Sequence, residues 1–377
     1  MASAKADPTG LRVMFNEDIF MRQRFGGISR FFVELVRNLP RFAIDPKVFA
    51  PFHANAYLGD LPAQRFVGGI GHQIDNRLQK AAAIRVQPFA APLAARLCGA
   101  QVVHETYYAA RRPAPRGVPI VVTMYDMIHE LDDSFAGDPV LKLKADAIDR
   151  ADWITCISEN TRQDMIRLFP HSAAKSSTIH LSAQLPDTTG APSPHDRPYV
   201  LYIGERARDY KNFRNLFAAY RNDPAIHGSF DLICIGGGAF TGEERAEIEA
   251  AKLGSRVHQL GAHDALLARY YRHAACMVYP STYEGFGIPP LEAMIAGCPV
   301  VVLRAASLPE VCGDAAAYAE DGSPDALGAA MRRILDDETT AERFRQAGFE
   351  QAAQFSWERC ARETAEVYHR LAEKGVA

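Results

Sequence analysis

A repeated alternation constrains this chain more than any other feature. Short runs of β-branched and aliphatic residues recur with helix-length stretches between them, the sequence form of consecutive βαβ units. The first half carries LRVMF, QVVHE, PIVVTMY, WITCIS and STIHL; the second carries YVLYIG, FDLICIG, RVHQLG, CMVYPS and PVVVL. Several are apolar at consecutive positions, as parallel strands covered by helices on both faces must be. Between the two sets lies SAQLPDTTGAPSPHDRP, residues 182–198, with four prolines and little to bury, which reads as a linker. A chain of 377 residues also exceeds what one core organises. The expected fold is therefore α/β, with two doubly wound Rossmann-like domains facing a central cleft, over residues 1–190 and 191–355. The amphipathic segment 356–377 is expected to pack back on the first domain. Ligands of such sheets bind outside the carboxyl ends of the strands, so each loop that follows a strand is a candidate for chemistry.

Charge narrows the partners. A net charge of −3 argues against a nucleic-acid binder that works by neutralising phosphates. Locally, residues 61–125 hold Arg65, Arg77, Lys80, Arg85, Arg96, Arg111, Arg112 and Arg116 against only Asp75 and Glu105. Such a stretch is either a solvated basic face or a surface for anionic membrane lipid or a phosphorylated acceptor. The seven cysteines are scattered and sit mostly in apolar runs such as ITCIS, which suits small buried thiols in a reducing compartment. With no CxxC pair and no HExxH, no metal site is expected. The opening MASAKADPTG lacks the apolar core of a signal peptide, and no apolar run reaches the roughly eighteen residues of a spanning helix. A cytoplasmic location is expected.

Four loops stand out. In YPSTYEGFGIPPLEAMIAGCPVVV, residues 279–302, a strand ends at Tyr279 and a helix starts near Pro289, where proline suits the first turn. Loop amides and the helix N-terminus together suit a diphosphate. Glu284 and Glu292 flank that junction, and alone they read as well as solvated or capping glutamates. In LYIGERARDYKNFRNLF, from Leu201, a strand ending at Gly204 leads to Arg206 and Lys211, two cations suited to negative charge on a departing group. RFGGISRFFVELVRNL, residues 24–39, puts Gly26 and Gly27 before an amphipathic helix that Ser29 would cap. VVTMYDMIHE, residues 121–130, follows a strand with Tyr125, Asp126 and His129. A further glycine run, LICIGGGAF with Gly237 at its centre, is not the GxGxxG of a dinucleotide loop, which disfavours a nicotinamide-dependent oxidoreductase.

Residues 279–302 resemble the EGFG…PxxEAMxxGxPVV signature of the family 4 retaining glycosyltransferases of GT-B fold, with both glutamates at the family's spacing. LYIGERARDYKN is similar to that family's G-x-R…K-N element, and RFGGISR to its GGxxR loop. The resemblance implies a GT-B fold and a nucleotide-sugar donor. It implies that Glu284 approaches the donor sugar and Glu292 the ribose, and that the backbone of Gly285, Phe286, Gly287 and Ile288 contacts sugar and phosphate. Arg206 and Lys211 inherit the diphosphate, with Asn212 in support, and Gly204 and Gly237 border the nucleotide. Gly26 and Gly27 would meet the diphosphate and acceptor from the other domain. Many relatives carry a histidine where this chain has Tyr125, so either Tyr125 takes over its hydrogen bond or His129 reaches in; Asp126 matches in both cases.

The resemblance is to bacterial mannosyl- and related transferases of polysaccharide assembly. It implies a metal-independent hexosyltransferase without a resident cofactor, with GDP-mannose as the favoured donor and a sugar or lipid-linked saccharide as acceptor. A UDP-sugar donor is the alternative, and a catalytically inactive binding protein of the same fold a further one.

Overall fold

The computed structural model describes residues 10–375; the N-terminal segment 1–9 and residues 376–377 of the C-terminal segment lie outside them. The chain divides into two compact units, one running to Leu181 and resuming at Ser356, the other spanning Ser182–Phe355.

The first unit is built on β1 (Leu11–Phe15), β2 (Ile44–Val48), a short pair β3 (Phe52–His53) and β4 (His72–Gln73), then β5 (Val102–Glu105), β6 (Ile120–Met124), β7 (Trp153–Cys156) and β8 (Ser176–Thr178). Six of these form one all-parallel sheet in the order β2-β1-β5-β6-β7-β8. β6 is buried along its whole length, as a strand covered on both faces must be. The helix Gly27–Asn38 buries Phe31, Phe32, Leu35 and Val36, with Phe32 edge-on to Phe15 of the sheet at 5.9 Å. Ser29 does not cap this helix. It lies inside the first turn, where its hydroxyl donates to the Gly26 carbonyl (3.1 Å), and the Gln23 side chain accepts the Ser29 amide instead (3.1 Å). Apolar spacing marks the helix but leaves its cap open, because a side chain outside the helix can reach the same amide.

The helix Trp357–Gly375 belongs to this unit. The Tyr368 hydroxyl meets His104 Nδ1 at 2.5 Å, and His104 Nε2 meets Thr123 at 2.8 Å. Burial drives the imidazole pKa down to about 3. His104, in the HETYY segment, is thus a neutral buried tie between strand and terminal helix.

The second unit carries β9 (Tyr199–Ile203), β10 (Asp231–Ile235), β11 (Val257–Leu260), β12 (Cys276–Tyr279), β13 (Val300–Leu303) and β14 (Ala316–Ala319). They form a parallel sheet ordered β11-β10-β9-β12-β13-β14, so the strand order reverses between β9 and β12. Loops leaving those two neighbouring strands part to opposite sides and open a crevice at their carboxyl ends. The proline-rich stretch after Leu181 packs on this unit: Arg269 donates to the Pro192 carbonyl (3.0 Å), His195 meets Asp231 (2.7 Å) and Arg197 bonds the same carboxylate (3.1 Å). Among the described residues no helix is long and apolar enough to cross a membrane.

Candidate functional site

The carboxyl ends of β9 and β12 bring together residues far apart in sequence. Lys211 Nζ donates to Glu284 Oε1 at 2.6 Å and to the Tyr279 hydroxyl at 3.2 Å. Both members of the ion pair are mostly buried, at 14% side-chain exposure each, so the contact is less screened than a surface pair. Asn212, next in the chain, adopts the left-handed conformation (φ 55°) and donates to the Gly322 carbonyl at 3.0 Å. Asparagine tolerates that conformation better than most residues. It turns the chain from the Lys211 loop directly into the helix Phe213–Asn222.

Arg206 is held from three sides. Nε meets Glu244 at 2.8 Å, and the two terminal nitrogens donate to the carbonyls of Gly236 (2.7 Å) and Gly238 (2.8 Å). Gly237 has φ 68°, and a Cβ there would come within 3.0 Å of the Arg206 guanidinium, so glycine is required for this close approach. Glu244 also completes a capping box with Thr241 at the start of the helix Gly242–Ala250. The arginine predicted to face a diphosphate anchors the triple-glycine loop, and Gly204 directly follows β9.

Around Glu284 the loop is pinned by Ser307, whose hydroxyl reaches the carbonyls of Glu284 (2.9 Å) and Phe286 (2.8 Å). Gly287 caps the following helix Ile288–Ile295 at φ 112°, and Phe286 packs edge-on to Phe355. Glu292, on that helix, is buried and accepts from the Tyr271 hydroxyl at 2.9 Å. Ser307 was missed by sequence reading, because an isolated serine after a strand carries no motif. Ser307→Ala is expected to loosen the loop, costing about 1 kcal/mol of stability and roughly a tenfold loss in kcat/KM. Thermal melts and steady-state kinetics together check both effects.

In the first unit, Asp126 follows β6. Its Oδ1 caps the Ile128 amide (3.1 Å) and lies 3.5 Å from Lys144 Nζ, which also donates to the Asp126 carbonyl (3.1 Å) and to Glu130 (2.8 Å). Burial pushes the Asp126 carboxyl up, but neighbouring His129 and the Lys144 cation outweigh it and hold it below the ordinary range. Lys144 is only 1% exposed and is a second residue that sequence reading missed. His129 sits between Asp126 (3.8 Å) and Asp138 (3.9 Å) with its ring against Phe135. Tyr125 is buried and donates its hydroxyl to the Thr106 carbonyl at 2.8 Å. Its one proton is committed within the unit, whereas the His129 side chain keeps a fifth of its surface exposed. Gly26 and Gly27 open the helix that Gln23 caps, as described.

A third unforeseen group lies at the end of β1. Both carboxyl oxygens of Glu17 are buried without a hydrogen-bond partner, and burial together with the charges of Asp18 and Glu105 raises its pKa to about 8. The folded protein therefore holds this proton between roughly pH 4.5 and 8, where an unfolded chain has released it. Stability from the protonated group is complete below that window and is lost as pH rises through it. Glu17→Gln is expected to match the parent in melting temperature near pH 4.5 and to exceed it near pH 8, as melts across the range would show. A difference that does not grow with pH would contradict this.

Among the described residues, His195, Asp231 and His258 form the group with metal-ligand chemistry, their ligand atoms within 4.8 Å of one another. Asp231 also meets Arg197 (3.1 Å) and Arg256 (3.3 Å), two cations that repel a metal ion, and it opens β10 at the end of the sheet away from the Lys211 loop. The cluster works as a clamp on the linker.

Two parallel six-stranded α/β units, the second with its polar loops at the switch point, define the GT-B class. The fold is shared with sucrose-phosphate synthase from Thermosynechococcus elongatus, at TM-score 0.74 and 20% identity over 96% of this chain and 99% of that one. HepE from Anabaena, solved in complex with UDP and glucose, aligns at TM-score 0.71 and 16% identity over 95% and 99%. Residues 25–182 match the family described as Glycosyltransferase Family 4, and residues 188–351 match Glycosyl transferases group 1. The chain belongs to this group 1, family 4 class of glycosyltransferases. Among characterised relatives, the O-antigen chain mannosyltransferase B of Escherichia coli is 34% identical over 60% of this chain, and the MMP alpha-(1->4)-mannosyltransferase of Mycolicibacterium hassiacum is 37% identical over 31%. The matched regions span 62% and 28% of those two proteins.

Proposed function

We propose that this chain is a retaining glycosyltransferase that moves mannose from GDP-mannose to a sugar or lipid-linked saccharide in polysaccharide assembly. The observation that carries the reading is the Lys211–Glu284 pair at the β9/β12 switch point, beside a helix that starts at Ile288. A diphosphate at this position meets the Lys211 cation and the amides of the Gly285–Ile288 turn, while Glu284 accepts from sugar hydroxyls and Glu292 from the ribose. Arg206 adds positive charge and keeps the glycine loop in place for the nucleotide. Two relatives whose names specify mannose transfer support that sugar.

In the reaction the bond from the sugar C1 to the phosphate oxygen breaks as the acceptor oxygen bonds C1 on the same face. The acceptor proton passes to the departing phosphate oxygen, and Lys211 and the helix N-terminus stabilise the charge left there. The first unit contributes Asp126 and His129 to acceptor recognition. No metal has a place in this scheme, and the enzyme works in the cytoplasm, where nucleotide sugars are made.

Calorimetric titration with GDP, UDP and ADP, followed by turnover of GDP-mannose against UDP-glucose and UDP-N-acetylglucosamine, tests the reading. GDP binding with GDP-mannose turnover is the expected result. Turnover of a UDP-sugar instead would replace the donor but keep the class, and a folded protein that binds none of them would overturn the proposal.

A further inference from the structure

The helix Arg77–Leu97 is amphipathic the wrong way round for a helix on a water-soluble surface. The side chains it turns into the protein are small or polar: Ala83, Gln87, Ala91, Ala94 and Ala95. The large apolar ones point outward, with Leu78 81% exposed, Phe89 64% and Leu97 77%, and Val86 and Leu93 lie on the same face. A solvated helix buries its apolar stripe and exposes its charges, because burial of large side chains is what holds it down. Here about five large side chains along a helix of roughly 30 Å remain uncovered, a contiguous patch of the kind that marks an interaction site.

Charge identifies what covers it. The helix contains Arg77, Lys80, Arg85 and Arg96 and no acidic residue, and Arg85 and Arg96 lie on the exposed face among the apolar side chains. Arg111, from the loop after β5, places its guanidinium 4.2 Å from the Phe89 ring centroid and extends the basic rim. The helix is anchored rather than loose: Asn76 caps it, and Gln87 accepts the Phe52 amide at 2.9 Å. An exposed row of Leu, Val and Phe rimmed by Lys and Arg is the pattern of a helix lying in the interface of an anionic bilayer, apolar side chains among the acyl chains and cations at the lipid phosphates. A second copy of the same face would bring like charges together.

We propose that the Arg77–Leu97 helix docks this protein on anionic phospholipid through Leu78, Val86, Phe89, Leu93 and Leu97, with Arg85, Arg96 and Arg111 at the headgroups. This surface is separate from the donor site and does not depend on which sugar is moved. Docking would keep the first unit at the membrane, where a lipid-linked acceptor would be met by diffusion in two dimensions.

Flotation of the full chain with phosphatidylglycerol-containing vesicles, beside vesicles of phosphatidylcholine alone, tests this without any sugar nucleotide. Binding is expected only to the anionic vesicles and is expected to weaken as salt is raised. Phe89→Glu with Leu93→Glu should cut the partition coefficient at least about tenfold and leave nucleotide binding unchanged, which separates a failure here from a failure of the donor reading. Arg85→Gln with Arg96→Gln, both exposed, carries the same test should the glutamate pair disturb folding. Absence of binding to anionic vesicles, or binding that neither pair weakens, would overturn the proposal. So would a dimer, seen by sedimentation equilibrium, that the glutamate pair dissociates.

Discussion

Lys211→Ala is expected to reduce sugar transfer by about 10²–10³-fold with the fold intact, the scale of losing one preorganised charge at a developing anion. The side chain reaches Glu284 and Tyr279 and packs on the Tyr210 ring, all within the loops at the end of the second sheet. Its removal leaves the strands and their apolar contacts in place, so the fold should survive, with some loss of melting temperature from the unpaired Glu284. Glu284→Gln removes the partner rather than the cation. Under the proposed division of labour it weakens sugar recognition while leaving the affinity for the bare nucleoside diphosphate close to the parent's, whereas Lys211→Ala weakens both. Titration of each variant with GDP, alongside turnover of GDP-mannose, distinguishes the two roles. Transfer by Lys211→Ala at near-parent rates would remove the lysine from the diphosphate site.

The sheet strands were legible where burial on both faces demands consecutive apolar residues, as in IVVTM and DLICI. β2 was not, because IDPKV carries a proline and two charges, which only an edge strand tolerates. The Arg77–Leu97 helix was hidden for a related reason. Pro88 and Pro92 argue against a helix, and its outward apolar face defeats the usual inward periodicity. At the site, Lys211 and Glu284 could be named from the loops that follow their strands, since parallel topology fixes which loop ends are neighbours. Residues that act through a tertiary partner left no such trace. Gln23 caps a helix it does not belong to, Ser307 pins a loop two elements away, and Lys144 supports Asp126 from another helix. Each is an ordinary polar residue in its local sequence, and only the folded chain supplies its partner.

Lys144 leads to the second large effect. Its ammonium is buried against the Asp126 carbonyl, the Asp126 carboxylate and Glu130, with the Tyr108 ring nearby. Lys144→Met fills the same channel with apolar atoms but leaves the buried Glu130 carboxylate and the partly exposed Asp126 without their cation, and one Glu130 oxygen already lacks a partner. Breaking a buried pair from one side costs about 3–5 kcal/mol, mostly the penalty of the uncompensated charge. A fall of that size in unfolding free energy by denaturant titration is expected, together with a loss of transfer as Asp126 is released. The double variant Lys144→Met, Glu130→Gln separates the two effects. Neutralising Glu130 relieves part of the charge penalty and should recover much of the stability, whereas Asp126 still lacks the ammonium that holds both its carboxylate and its carbonyl. Transfer should therefore stay low while the melt recovers. If activity returned in step with stability, Lys144 would be a support for the fold alone; if Lys144→Met melted like the parent, the cluster would not be held by charge at all.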